Sequence, residues 1–218
     1  MKNGFICAAT REELETFGLE GAEPIEENQI WKIPEGYAAV TGVGIPVAML
    51  RLPVWIDRWK PDWILNFGIA GAYTESGLAI GDLVAGASEV FGDLGFELPD
   101  DGVFRPLSEA PFADPLLKLP LALHIPDWIR IRPGKGATVN RCTGREGTGR
   151  MRRKIFDADF ESMEGAAVAL AGVAQGIPVV EIRAISNFAS DRDMRPENIQ
   201  SALKSLREFW RENRKFLN

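Results

Sequence analysis

The chain has one histidine, His124, and two cysteines, Cys7 and Cys142, in 218 residues. A single histidine argues against Ser-His-Asp catalysis and against histidine-rich zinc sites. Two cysteines build neither a disulfide framework nor a thiolate metal cluster, and both read as small core residues. Positive charge is also in short supply: 25 Lys and Arg stand against 31 Asp and Glu, for a net charge of −6. A nucleic-acid partner would need a basic face. The one basic run, residues 150–154, reads as the solvated face of a helix. No stretch approaches the ~18 apolar residues of a membrane span. No opening segment combines a basic start, an apolar core and a cleavage site. The expectation is a cytoplasmic protein with no membrane partner, in which carboxylates carry any acid/base chemistry.

What is present is ordinary for a globular protein: 45% apolar and 26% charged residues. The length suits one α/β domain with a substantial core. Without internal repeats, low-complexity tracts or linkers, residues 1–218 read as a single domain. Residues 4–9, GFICAA, form a short apolar strand. Thr10 and Glu13 then have the spacing of a capping box, with a helix running to about Phe17. Residues 29–33 and 37–40 read as strands around a Pro34-Glu35-Gly36 turn. The Gly42-x-Gly44 that follows lacks the third glycine and the acidic strand end of a dinucleotide fingerprint. Residues 46–59 are expected to be helical, and their apolar side chains suit either the core or a second subunit.

Residues 63–67, WILNF, form a buried strand. A glycine turn follows it, Gly68, Ile69, Ala70 and Gly71, where small residues let backbone approach a ligand. Residues 93–126 read as a long loop with a helical piece at 114–123, and residues 128–132 as a strand. His124 is expected on the surface. Residues 136–143 continue as strand and turn, residues 144–156 as a polar helix or loop, and residues 159–162 as a short strand. Pro196 opens a last helix whose apolar residues recur at helical spacing, and which packs on the sheet without chemistry.

The densest stretch is residues 160–193, FESMEGAAVALAGVAQGIPVVEIRAISNFASDRD. It holds the carboxylates Glu161 and Glu164, then a small-residue helix over 165–175 that Gly176 and Pro178 stop. A strand over 179–185 looks buried on both faces. Glu181 and Arg183 share one of those faces, two residues apart. Buried charges are costly unless paired or used. The polar cluster Ser186, Asn187, Ser190, Asp191, Arg192 and Asp193 begins at the strand's carboxyl end, where open α/β sheets bind ligands. An ion pair beside a solvated loop explains the same residues without a site.

SMEGAA followed by EIRAISN resembles the purine nucleoside phosphorylase and nucleosidase superfamily, in its hydrolase branch. ISN with a following RD is closer to futalosine hydrolases than to methylthioadenosine/S-adenosylhomocysteine nucleosidases. NFGIAG and GDLV resemble the superfamily's second motif, so the resemblance covers most of the chain except residues 93–126. It implies an α/β fold with a central mixed β-sheet flanked by helices, no cofactor or metal, a small nucleoside as partner, and a homodimer or higher homo-oligomer. It further implies hydrolysis of the N-glycosidic bond of futalosine, releasing hypoxanthine for menaquinone biosynthesis. Glu164 would hold the ribose with Met163 packed on the sugar. Glu13, or its neighbour Glu12, would activate water. Arg183 would position that water or simply pair with Glu181. Val139, Asn140 and Cys142 would line the base together with Asn187.

Phosphorylases have Arg and Ser or Thr where this chain has Asn66 and Ile69, which favours water over phosphate. Adenine-cleaving relatives carry Asp where Asn187 stands. An amide donates N–H to the N7 and O6 acceptors of a 6-oxopurine, and the donor that protonates the leaving base is then Asp191, Asp193 or water. Arg105, Arg130 and Arg132 are candidates for a distal carboxylate of the substrate, or plain surface charge. An adenine nucleosidase, a phosphorylase and a nucleoside-binding regulatory protein are the alternatives.

Overall fold

The computed structural model describes residues 3–19, 21–26, 29–100, 102–118 and 120–217. In chain order it contains β1 (Gly4–Ala8), α1 (Arg11–Glu15), β2 (Glu23–Glu26), β3 (Ile30–Ile33), β4 (Gly36–Val40), α2 (Ile45–Trp59) and β5 (Trp63–Ala72). There follow β6 (Leu83–Phe91), β7 (Gly95–Glu97), β8 (Phe104–Pro106), β9 (Leu121–Ala122) and β10 (Arg132–Thr138). The remainder is α3 (Glu146–Phe156), β11 (Phe160–Ser162), α4 (Gly165–Gln175), β12 (Val179–Phe188) and α5 (Pro196–Asn213). This is the expected mixed α/β arrangement.

The strands run β11-β10-β6-β12-β5-β1-β4-β3-β2, and β11 also pairs with β5. That extra pairing closes β5, β12, β6, β10 and β11 into a barrel, with β1 to β4 as an open wing. The alternation of β1 sorts the two layers. Ile6 and Ala8 pack with Phe17, Phe67, Leu206 and Trp210. Phe5 and Cys7 pack with Leu52 and Trp55 of α2 and with Ala167 and Val168 of α4. Helix α4 is nearly all small residues, and it is buried along most of its length. Gly176, at φ +68, ends it in the left-handed conformation that glycine allows.

The structure departs from the sequence reading in several places. The glycines at 68 and 71 make no turn, because β5 continues through them to Ala72. Flanking pairings with β12 and β11 hold the segment extended. Likewise β12 runs past Ile185 to Phe188, with a register shift before Asn187. Residues 128–132 are not a strand; β10 begins at Arg132. The helical piece expected over 114–123 is a single 3₁₀ turn, Pro115–Leu117, followed by β9. Leu119, within that expected piece, lies outside the described residues. In α3, Arg152 belongs to no solvated face: it is 2% exposed and ion-paired to Glu161, at 3.3 Å.

Candidate active site

A cavity of about 320 Å³ opens where the barrel meets α1 and α5. Glu13 enters it from the capping box. Thr10 donates to Glu13 Oε2 through its amide at 2.9 Å and its hydroxyl at 2.8 Å. The other oxygen, Oε1, accepts the Ile69 amide at 2.9 Å, so α1 is tied to β5. A side-chain carbon on Gly68 would come within 2.5 Å of Glu13 Oε1 and 2.8 Å of an Arg183 Nη. Gly68 is therefore the gap these two side chains fill rather than part of the cavity wall. Ile69, Ala70 and Gly71 do line the cavity.

Glu164 caps α4 with its carbonyl, which accepts from Val168, while its carboxylate turns back to the Gly42-x-Gly44 turn. There Oε1 accepts the Gly44 amide at 2.8 Å. Both glycines sit at positive φ, +84 and +91, which suits glycine and aims the amide inward. Burial pushes the Glu164 carboxyl up to about 7, against the opposing pull of Arg183 and the Gly44 bond. Met163 lines the cavity beside it.

Asn187 stands on β12 with its amide orientation set by two bonds. Ser186 Oγ donates to Oδ1 at 3.0 Å, and Nδ2 donates to the Phe188 carbonyl at 3.0 Å. One N–H of Nδ2 remains for a ligand. Val139 and Cys142 also line this end. Burial, then the nearby Glu161, raises the Cys142 thiol above its usual range.

Three expectations are corrected here. Asn140 does not reach the cavity: it is exposed, and its amide N–H bonds Asp93 at 2.8 Å. The chain's alternation turns Asn140 away from the face that Val139 lines. Arg183 does not line the cavity. It is 1% exposed, and its Nε donates to Glu181 at 2.9 Å, with Asn66 donating to the same oxygen at 3.1 Å. Helix α5 is not solely structural, because Ile199 and Leu203 form part of the cavity wall. Their i, i+4 spacing was the available signal, but core packing on the sheet gives the same pattern. Neither Asp191 nor Asp193 lines the cavity, and Asp193 is ion-paired to Arg195. Glu12 and Glu13 both line it, but only Glu13 is buried.

Behind the cavity, Glu89 is fully buried, with Thr138 donating to its Oε2 at 2.7 Å. Among the described residues no donor reaches its other oxygen or Glu181 Oε2, and the two carboxyl groups lie within hydrogen-bonding reach of each other. Burial, followed by the adjacent Glu181 carboxylate, raises the Glu89 carboxyl well above the usual range.

The model of the phosphorylase superfamily matches residues 11–217, and the chain belongs to this family. It is 30% identical over 184 residues to a futalosine hydrolase of Streptomyces coelicolor, covering 80% of this chain and 77% of that one. With a futalosine hydrolase of Thermus thermophilus the identity is 33% over 175 residues, covering 76% and 75%. Among solved structures, a futalosine hydrolase mutant of Helicobacter pylori matches over 99% of both chains with a TM-score of 0.75 and 19% identity, which is a likeness of fold.

Proposed function

We propose that this protein is a futalosine hydrolase that cleaves the N-glycosidic bond to release hypoxanthine, in the cytoplasm, for menaquinone biosynthesis. The observation that carries the reading is the placing of Glu13, Glu164 and the Asn187 amide around one cavity. The kinship to futalosine hydrolases supports it. Glu164 accepts from the ribose hydroxyls and stabilises the cationic sugar as the bond to N9 breaks. Glu13 takes a proton from the attacking water as its oxygen bonds to C1′. The departing base takes up a proton from solvent water and Glu13 returns its proton to solvent, so the two transfers balance, while Asn187 Nδ2 donates to the O6 and N7 edge of the base. Arg183, sealed behind Gly68, supports Glu13 and Glu164 by charge and does not touch the water. Arg192 at the rim is the one cationic side chain among the described lining residues. No phosphate clamp is therefore assigned, and water is the nucleophile.

The chain acts as a homo-oligomer. Val43, Leu50 and Val54, 53%, 74% and 63% exposed, form an apolar stripe from the cavity rim along α2 that suits a second copy. The function is tested by base release from futalosine, inosine, methylthioadenosine and S-adenosylhomocysteine, each with and without phosphate. Hypoxanthine from futalosine, independent of phosphate, is the expected result. Adenine from methylthioadenosine would make the protein an adenine nucleosidase, and phosphate dependence would make it a phosphorylase.

A further inference from the structure

Four glycines, each on a different element, make room for one buried polar cluster behind the cavity. Gly68 of β5 leaves space for Arg183 and for Glu13 Oε1. A side-chain carbon on Gly86 of β6 would sit 2.6 Å from Glu181 Oε2, and one on Gly136 of β10 would run into Glu89 Oε1. One on Gly165, the first residue of α4, would collide with Glu89 Oε1 and Glu181 Oε1 together. The two carboxyl groups therefore converge on a single point. Two ionised carboxylates do not make so close an approach in a dry interior, so one proton lies between them.

The pair is tied to the cavity by two routes. Arg183 Nε donates to Glu181 Oε1 at 2.9 Å, and its Nη2 is ion-paired to the same oxygen at 2.8 Å. The remaining guanidinium nitrogen, Nη1, reaches the gap left by Gly68, where Glu13 Oε1 also arrives. Thr138 donates to Glu89 Oε2 at 2.7 Å and accepts the Ala166 amide at 2.6 Å, in the first turn of the helix that Glu164 caps. The titratable groups gathered here are Cys7 of β1, Glu13 of α1, Glu89 of β6, Glu164 at the start of α4, and Glu181 and Arg183 of β12. Burial pushes the Cys7 thiol up to about 12, so it stays neutral. Toward the cavity, Glu164 also faces the Cys142 thiol, which is raised as well. One guanidinium thus serves four carboxyl groups.

We propose that Glu89 and Glu181 are positioning residues: sharing one proton, they hold a single negative charge that anchors Arg183 behind Glu13 and Glu164. This rests on the role given to Glu164 above. Neither residue touches the substrate. What reaches the cavity is the number of charges on the pair. With one, the pair balances Arg183, and Glu164 ionises near neutrality. With two, Glu164 would keep its proton to higher pH. With none, the guanidinium would act on Glu164 unopposed and draw its ionisation to lower pH. Either carboxyl group can carry the one charge, so either can be replaced singly.

Infrared spectra at about pH 8, above the range in which Glu164 titrates, test the shared proton. The wild type should show a protonated carboxyl stretch there. Glu89→Gln and Glu181→Gln should each lose it, because a lone carboxylate beside Arg183 ionises. Absence of the stretch from the wild type overturns the proposal, whether or not any variant folds. The pH dependence of kcat/KM for base release tests the positioning role. Each single variant should keep the acid limb within about half a pH unit of the wild type, and the double variant Glu89→Gln, Glu181→Gln should move it down by about 1 pH unit or more. Lost packing alone would lower the rate without moving the limb. An unmoved limb in the folded double variant overturns the proposal and leaves the hydrolase reading standing, as does a full shift in either single variant. No base release by the wild type from any of the four nucleosides overturns both.

Discussion

Glu13, Glu161 and Glu164 face the cavity, while Glu89 and Glu181 are sealed behind it, yet all five are buried. The difference lies in their partners. The facing carboxylates accept from amides, hydroxyls or a guanidinium and keep acceptor capacity toward open space. The sealed pair crowds around Arg183, and among the described residues their remaining oxygens have no donor except a proton shared between the two carboxyl groups. Two carboxyl groups beside one guanidinium carry an excess negative charge in a low-dielectric interior. Retaining a proton on Glu89 removes it. Burial of a carboxylate is thus no mark of a site by itself. Spare hydrogen-bonding capacity directed at a cavity is the more useful sign.

Removing the cation behind the cavity should have the largest effect on folding. Arg183→Met strands Glu181 and should cost about 3–5 kcal/mol in urea unfolding. An unchanged midpoint would break the contrast drawn above. Glu164→Gln should do the reverse, keeping the unfolding midpoint while lowering base release by about 100–1000-fold. In the wild type, kcat/KM should rise with pH through about 7, because the ionised Glu164 is the acceptor. A flat profile there would remove Glu164 from its role.

Glu89 supplies a smaller effect with a definite sign. Its folded-state carboxyl titrates well above the ordinary 4.5, so the folded protein holds a proton that the unfolded chain releases. The stability this contributes is fully present below pH 4.5 and is lost as pH rises through the folded-state value. Glu89→Gln should therefore gain on the wild type by up to about 1.4 kcal/mol per pH unit within that window. Parallel stability profiles for the two proteins would mean that Glu89 is ionised in the fold. Smallest of all, Asn140→Ala should leave base release within about twofold of wild type. A large loss would return Asn140 to the cavity.

Much of the local structure was legible in the sequence. The Thr10 and Glu13 capping box, the stop of α4 at Gly176 and the buried β12 all follow from short-range patterns. Glu13, Glu164, Met163, Val139, Cys142 and Asn187 were identified and do share one cavity. Alternation puts Val139 and Asn140 on opposite faces, but which of the two faces meets the cavity is set by the register of β10 in the barrel and not by the local sequence. Arg152, set in a run of basic residues, looked solvated because its partners Asp93 and Glu161 lie on distant segments.

By itself the sequence determined the elements, their caps and the residue types available for chemistry, because helix and strand preferences act over a few neighbours. Only the tertiary structure decided which carboxylates open onto the cavity and which must keep a proton. It also decided that Glu89 and Glu181 meet behind the cavity. Those outcomes depend on the register between strands far apart in the chain, and on which side of the closed barrel each side chain emerges.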